Sequence, residues 1–176
     1  MTNSPLNARL LAADMPPIIH KDYLPGCIGR IVELHARYYS AQAGFGQPFE
    51  SKVARELAEF CARYDGERDG LWLAVDNGRI EAAIAIDGAH AAEDGAHLRW
   101  FIAADEARGS GVGTALLTAA MDFCQARHYD RVYLWTFAGL DAARHLYEKF
   151  GFRLVQQQRG TQWGKEVEEQ RFERQN

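Results

Sequence analysis

The sequence predicts a mixed α/β fold in which helices cover both faces of one sheet. The length of 176 residues suits a single domain with its own core. The order of periodic segments is two helices, a hairpin, and then strand, loop, helix, strand, helix and two strands. Because a right-handed crossover joins parallel neighbours, we expect the strand at 131–137 beside the strand at 96–103.

The first part of the chain is predicted to hold a tail and two helices. Residues 1–16 form the tail, and the domain covers residues 17–176. Apolar residues at helical spacing predict one helix over 27–39 and another that begins at Ser51 or Glu50 and ends near Tyr64. A short strand is expected at 18–20, ahead of the first helix.

The second part of the chain is predicted to supply most of the sheet. Strands are expected at 71–75 and 79–86 around a hairpin turn, and then at 96–103, 131–137, 152–157 and 167–172. Helices are expected at 111–127 and 141–149, the second capped by Asp141 and ended by Gly151.

Composition and charge argue against several classes of protein. The net charge of −4 does not favour a general nucleic-acid binder. Three separated cysteines without a CxxC pair predict reduced thiols, with no disulfide framework and no metal site. The first residues lack a signal-peptide pattern, and no apolar run is long enough to span a bilayer, so we expect a cytoplasmic protein with no membrane partner.

A glycine-rich loop between the strand at 96–103 and the next helix is the most informative segment. Gly109, Gly111 and Gly113 alternate after Arg108 and lead directly into the helix. Without side chains, an anion can approach the backbone N–H groups, and the helix N-terminus adds unpaired donors and partial positive charge. The loop therefore suits a diphosphate.

The two common nucleotide-binding motifs fit this loop poorly. A P-loop requires a lysine after its last glycine, and a dinucleotide fingerprint requires GxGxxG close behind the strand. Here the spacing is GxGxG, and a polar segment separates it from the strand. A nucleotide site, or glycines that only permit tight helix–sheet packing, remain alternatives.

Two segments together resemble the GNAT superfamily of N-acetyltransferases. LRWFIAADEARGSGVGTALL is similar to its acetyl-CoA motif, and Arg108, Gly111 and Gly113 match the pattern [R/Q]xxGxG/A. VYLWTFAGLDAARHLYEKFGFRL resembles the family's next motif, at the usual distance. The resemblance implies a mostly antiparallel central sheet of six or seven strands. GCIGRIVELHARYY and WGKEVEEQRFER further resemble GNAT modules that some bacteria fuse to helix-turn-helix regulators.

The resemblance also implies how acetyl-CoA would be bound. Backbone amides of the loop would hold the pyrophosphate, and the end of the strand would pair with the pantetheine arm. In the family, two neighbouring strands separate there and make room for the thioester. The cofactor-binding residues implied are Phe101, Ile102, Ala103, Arg108, Gly109, Ser110, Gly111, Val112, Gly113 and Thr114.

The same resemblance implies catalytic and acceptor residues. Tyr147 sits where the family commonly keeps the acid that protonates the departing thiolate. His97 is the leading candidate for the base, with weaker candidates in solvent water, Glu33, His35 and Glu93. Tyr38 and Tyr39 follow the first helix, so they either line the amine pocket or are ordinary half-buried aromatics.

The expected activity is transfer of an acetyl group from acetyl-CoA to a primary amine of a small molecule or a protein. Direct attack of the amine in a ternary complex is the expected mechanism. A homodimer is the expected assembly in this family. A non-catalytic acyl-CoA sensor is the alternative, and a free-thiol assay with a panel of amines would separate the two.

Overall fold

The computed structural model describes residues 17–176, which form a seven-stranded sheet and four α-helices. The strands are β1 (Ile18–Lys21), β2 (Gly70–Asp76), β3 (Arg79–Asp87), β4 (Ala96–Ala103), β5 (Arg131–Phe137), β6 (Arg153–Gly160) and β7 (Val167–Gln175). The α-helices are α1 (Cys27–Ala43), α2 (Gln47–Ala62), α3 (Val112–Ala126) and α4 (Asp141–Lys149), and a 3₁₀ turn covers Asp105–Ala107. The tail predicted at 1–16 lies outside these described residues.

The strand order is β1-β2-β3-β4-β5-β7-β6. In this sheet of residues 17–176, β4 and β5 form the one parallel pair, and every other neighbouring pair is antiparallel. The predicted mixed sheet and the adjacency of β4 and β5 are therefore confirmed. A parallel pair requires a long crossover, and α3 supplies it here.

Two hydrophobic cores lie on opposite faces of the sheet, because successive residues of β2 and β3 point to opposite sides. Leu71 and Leu73 pack with α1 and α2, whereas Trp72 and Ala74 pack with α3. All four of these β2 side chains are buried. Helices thus cover both faces, as predicted, and β2 is buried on both sides.

One helix start and one helix cap differ from the prediction. Helix α2 begins at Gln47 and not at Glu50 or Ser51, because Pro48 stands in its first turn, where the missing N–H costs no helical hydrogen bond. Asp141 is not the cap of α4. It is the first helical residue, and Leu140 occupies the cap position without a side-chain hydrogen bond.

A β-bulge interrupts β4 at Trp100. Ala85 pairs with Arg99 and Ala83 pairs with Ile102, so one residue of β3 lies opposite two residues of β4. Trp100 has a φ of +48°, which is unusual for a bulky side chain. As a result, consecutive side chains Arg99 and Trp100 both lie on the α2 side of the sheet.

Candidate active site

A cavity of about 540 Å³ opens where β4 and β5 separate. The two strands pair only through Ala96 with Val132 and through His97 with Tyr133. Beyond these pairs, residues 98–101 of β4 and 134–137 of β5 line the cavity. The strands therefore leave backbone edges unpaired beside an open space, which is the kind of edge to which an extended ligand can add.

The glycine loop, defined here as residues 108–113, begins just past the end of β4. Gly109 and Gly111 have φ values of +78° and +86°, and a Cβ placed on either would meet no atom within 4 Å. Tight packing therefore does not explain these two glycines, whereas the backbone turn does. Gly113 differs, because its Cβ would lie 3.4 Å from the Phe101 ring.

Backbone donors in and after the glycine loop are only partly used. The Arg108 amide donates to the Asp105 carbonyl at 3.2 Å, and the Ser110 amide donates to the Ala107 carbonyl at 3.4 Å. Four amides have no acceptor among residues 17–176, namely those of Gly109, Gly111, Gly113 and Thr114. These donors, the open space and the N-terminus of α3 together fit a bound diphosphate.

The Arg108 side chain ties the loop to the strand before it and to helix α1. Its guanidinium donates to the Ala103 carbonyl at 3.0 Å and lies 3.9 Å from the centre of the Tyr38 ring. Tyr38 thus contacts the loop and does not line the cavity between β4 and β5. Of the two tyrosines predicted for the amine pocket, Tyr39 lines the cavity and Tyr38 does not, although their ring centres are only 4.9 Å apart.

Tyr39 does lie in the cavity wall, in a cluster of aromatic rings. Its ring centre is 5.3 Å from that of Phe49 and 5.6 Å from that of Phe137. The pKa of the Tyr39 hydroxyl is raised above its ordinary value of 10.0, mainly because the side chain is buried. Trp163, whose position in a glycine-flanked turn does not by itself indicate a role, packs on Phe137 at 5.5 Å and closes the same wall.

Tyr147 on α4 is buried, and it also lines the cavity. Its ring centre lies 6.1 Å from that of Phe101 and 6.1 Å from that of Phe152. Burial is the main cause that raises the pKa of the hydroxyl above its ordinary value of 10.0, so the phenol keeps its proton at neutral pH. A protonated hydroxyl at the cavity can serve as a proton donor.

His97 lies in the cavity wall on β4, beside the last paired residues of the two strands. Its ring stacks on Tyr133, with the centres 4.3 Å apart. The pKa of His97 lies well below its ordinary value, first because of burial and then because of nearby positive charge on Arg99 and Arg171. The imidazole is therefore neutral at pH 7 and has a free lone pair to accept a proton.

The three weaker candidates for the base are dispersed. His35 lines the cavity, but its Nδ1 donates to the Ile31 carbonyl at 2.8 Å, and burial lowers its pKa to about 4. Glu33 is paired with Arg30 and Arg37 on α1, away from the cavity wall. Glu93 is exposed in the turn before β4 and does not line the cavity either.

Sequence reasoning missed a group of charged side chains in the cavity wall. Lys52 and Glu56 on α2 form an ion pair, and Glu56 also pairs with Arg99 on β4. The spacing of Lys52 and Glu56 signals an ion pair along one helix. Nothing in the local sequence signals that Arg99 meets them, because that contact depends on how α2 packs over β4.

Residues 17–176 can be described for three further features: groups of metal ligands, membrane-spanning helices and cysteine pairing. No group of three or more potential metal ligands occurs among them. None of their helices is long and apolar enough to cross a membrane. All three cysteines are unpaired: Cys27 and Cys124 are buried, and Cys61 is half-buried.

Comparison with known proteins identifies the family. The acetyltransferase (GNAT) family matches residues 29–152, which include the glycine loop, the cavity wall on β4 and β5, and Tyr147. This match supports acetyl-CoA as the acetyl donor. It gives no support to the narrower similarity with modules fused to helix-turn-helix regulators.

Two curated relatives are N-acetylaspartate synthetases. The protein from Xenopus tropicalis is 26% identical over 139 residues, which cover 78% of this chain and 51% of the relative. The protein from Danio rerio is 30% identical over 123 residues, which cover 68% of this chain and 43% of the relative. The aligned part of this chain thus spans about half the length of these relatives.

A solved structure supports the fold. The acetyltransferase yncA from Salmonella typhimurium, determined with its cofactor acetyl-CoA, superposes with a TM-score of 0.72. The match covers 92% of this chain and 94% of that chain at 16% identity, so it is evidence for the fold alone. The family model that matches residues 29–152 shows the family, and this fold agrees with it: the chain belongs to the acetyltransferase (GNAT) family.

Proposed function

We propose that the chain transfers the acetyl group of acetyl-CoA to a primary amine by direct attack, with both substrates held together in the cavity between β4 and β5. The observation that carries this proposal is the separation of the two strands directly before the glycine loop. The unused amide donors lie in the loop that follows β4, and charged side chains lie in the cavity wall itself. A donor and an acceptor can therefore contact different parts of the site.

The glycine loop is our proposed pyrophosphate site. The unused amides of Gly109, Gly111, Gly113 and Thr114 would bind the phosphate oxygens. Arg108 would stabilise the loop through its hydrogen bond to the Ala103 carbonyl. The backbone of Phe101 and Ile102, on the unpaired edge of β4, would bond the pantetheine arm. The Ala103 carbonyl already accepts a hydrogen bond from Arg108. Ala103 would therefore contribute to acetyl-CoA binding through its N–H group or the remaining lone pair of that carbonyl oxygen.

Direct attack is favoured over an acetyl-cysteine intermediate because no cysteine lines the cavity. Burial is the main cause that raises the pKa of Cys61 to about 11 and that of Cys124 to about 12, so the thiolate is scarce at neutral pH. Double-reciprocal plots of the initial rate against one substrate, at several fixed concentrations of the other, should give intersecting lines. Parallel lines would contradict direct attack.

Proton transfer in this mechanism uses two groups of the chain. The amine nitrogen forms a bond to the acetyl carbon as the carbon–sulfur bond breaks. Tyr147 gives its proton to the departing sulfur, and His97, directly or through water, takes the proton that the amine loses. At pH 7 the Tyr147 phenol is protonated and the His97 imidazole is neutral, as these roles require, and the support for the roles is that both side chains line the cavity.

The role of His97 can be separated from its stacking on Tyr133. His97→Phe keeps a flat ring against Tyr133 but removes the lone pair that accepts the proton. We expect kcat at neutral pH to fall by about a hundredfold while the Kd for acetyl-CoA stays unchanged. If His97→Phe has the kcat of the wild type, His97 is a packing residue.

The proposed acceptor is a small amine, and an acidic amino acid is the first candidate. The support is the identity of about 26% to 30% with proteins that are N-acetylaspartate synthetases. Thiol release from acetyl-CoA should be measured with L-aspartate, neutral amino acids, polyamines and peptide N-termini. Release that requires one of these amines, with the acetylated amine as product, is expected. Binding of acetyl-CoA without release for any amine would contradict the proposed function. A homodimer and a cytoplasmic location stay predictions.

A further inference from the structure

Three charged side chains meet in the wall of the cavity. Glu56 on α2 pairs with Lys52 one helical turn before it and with Arg99 across the interface on β4. All three side chains are mostly buried, with exposed fractions of 28% for Lys52, 23% for Glu56 and 20% for Arg99. Two cations therefore share one carboxylate in the cavity wall.

Arg99 is held in place by groups other than Glu56, namely Asp87 and Trp100. Its guanidinium lies 3.7 Å from an Asp87 oxygen on β3, and that carboxylate is also paired with Arg63. The same guanidinium lies 4.1 Å from the centre of the Trp100 ring, because the bulge puts both side chains on one face. Arg99 therefore keeps its orientation if Glu56 turns away.

Glu56 differs from Asp87 because it lies in the cavity wall. Both groups to which it is bonded, Lys52 and Arg99, line the cavity as well. Its carboxylate thus lies where the carboxylate of a ligand would meet the same two cations. An arginine fork suits a planar carboxylate, and the replacement of one carboxylate by another leaves neither cation unpaired in a poorly solvated site.

The shared cavity relates Arg99 to the proposed reaction centre. Arg99 precedes Phe101 by two residues, and the Phe101 ring lies beside that of Tyr147. Arg99 lies on the α2 side of the sheet and the two rings lie on the α3 side, and all three side chains line the one cavity that opens between β4 and β5. A short amino acid can reach Arg99 with a carboxylate while its amine approaches the thioester site.

Building on the proposed function, we propose that Arg99, with Lys52, selects amine acceptors that carry a carboxylate, and that Glu56 is the internal carboxylate that the acceptor displaces. In this account Arg99 binds the acceptor and does not take part in proton transfer. Asp87 acts through Arg99 and is a positioning residue. The class of acceptor is therefore a short amine with an acidic group.

The test compares acceptors that differ only in charge. KM for the amine would be measured with L-aspartate and with its two monoamides, L-asparagine and L-isoasparagine, in wild type and in Arg99→Met. We expect Arg99→Met to raise KM for L-aspartate by about tenfold or more. KM for at least one monoamide should change by less than about threefold, because that amide lacks the carboxylate that Arg99 binds. The Kd for acetyl-CoA should stay unchanged.

If Arg99→Met is unstable, two further variants test the same role of these charged side chains. Lys52→Met should raise KM for L-aspartate by about threefold or more, and Glu56→Gln should lower it by a similar factor because it frees both cations. Glu50→Gln is the matched control, since it removes the same charge from α2 at an exposed position off the cavity.

A rise in KM for L-aspartate in Glu56→Gln would overturn the proposal, as would an equal effect of Arg99→Met on all three acceptors. These results leave the proposed acetyl transfer intact, whereas absence of turnover with every amine contradicts that function. In that event the calorimetric Kd of L-aspartate, measured with CoA present, still decides the role of Arg99: a weaker Kd in Arg99→Met supports it, and an equal Kd overturns it.

Discussion

The Arg108 guanidinium lies 3.9 Å from the centre of the Tyr38 ring, so the loop after β4 is fastened to helix α1. The same guanidinium donates to the Ala103 carbonyl and lies 3.3 Å from an Asp105 oxygen. A cation over an aromatic face is attracted by the charge distribution of the ring. The first helix therefore helps to position the glycine loop, although it lies far from it in sequence.

The first prediction concerns Tyr38. Tyr38→Ala removes the ring under Arg108 and should raise the Kd for acetyl-CoA by about three- to tenfold, with little change in the KM of the amine. Tyr38→Phe keeps the ring and should bind acetyl-CoA like the wild type. Isothermal titration calorimetry checks both variants. An altered amine KM with an unaltered Kd for acetyl-CoA would instead assign Tyr38 to the acceptor site.

The second prediction concerns the hydroxyl of Tyr147. Tyr147→Phe should lower kcat by about a hundredfold, the usual contribution of a general acid, and should change the Kd for acetyl-CoA by less than about twofold. Because burial raises the pKa of Tyr147, the acid stays protonated and should cause no loss of kcat up to pH 10. Tyr39→Phe, in the same cavity wall, is the control and should change kcat little. Equal activity of Tyr147→Phe and wild type would remove Tyr147 as the acid.

Much of the fold could be predicted from the sequence, since most elements follow local rules. The strands at 96–103 and 131–137 and the helix at 141–149 have the predicted bounds. The predicted start of α2 is wrong because Pro48 reads equally well as part of the preceding loop, although proline also suits the first turn of a helix. Whether Pro48 belongs to the loop or to the first turn of α2 depends on where the helix begins, and the neighbouring residues do not determine that start.

The candidate site was predictable only in part. The residues from Arg108 to Thr114 have a recognisable spacing, whereas the bulge at Trp100 leaves no mark on the sequence, because His97 to Ala103 reads as an uninterrupted strand. The ion pairs of Glu56 depend on tertiary packing between α2 and β4. Local patterns therefore identify the donor side of the cavity, and only the fold assembles its acceptor side.

The third prediction concerns stability at acid pH. His35 is buried, and burial lowers its pKa from an ordinary 6.5 to about 4. The unfolded chain thus binds a proton between pH 6.5 and 4 that the folded chain does not, so the free energy of unfolding falls as pH decreases through this range. The loss from His35 at pH 5 should be about 2 kcal/mol.

Urea unfolding of wild type and His35→Gln at pH 7.5 and pH 5 checks this prediction. The variant lacks the titrating imidazole, so the difference in its free energy of unfolding between the two pH values should be smaller by about 2 kcal/mol. His97, whose pKa is also lowered, contributes a loss of the same sign in both proteins. An equal pH dependence of wild type and variant would contradict the buried neutral state of His35.

The most direct test of the whole account is calorimetric titration of acetyl-CoA into Gly111→Glu and Gly78→Glu. Both glycines have a positive φ, of +86° and +77°, and open space around them, so the two variants carry matched strain and charge. Gly78 lies in the hairpin turn between β2 and β3, away from the glycine loop. If the amides after Arg108 bind the pyrophosphate, Gly111→Glu should weaken binding by about a hundredfold or more through bulk and charge repulsion, and Gly78→Glu should bind like the wild type. An unchanged Kd in Gly111→Glu would contradict the central claim.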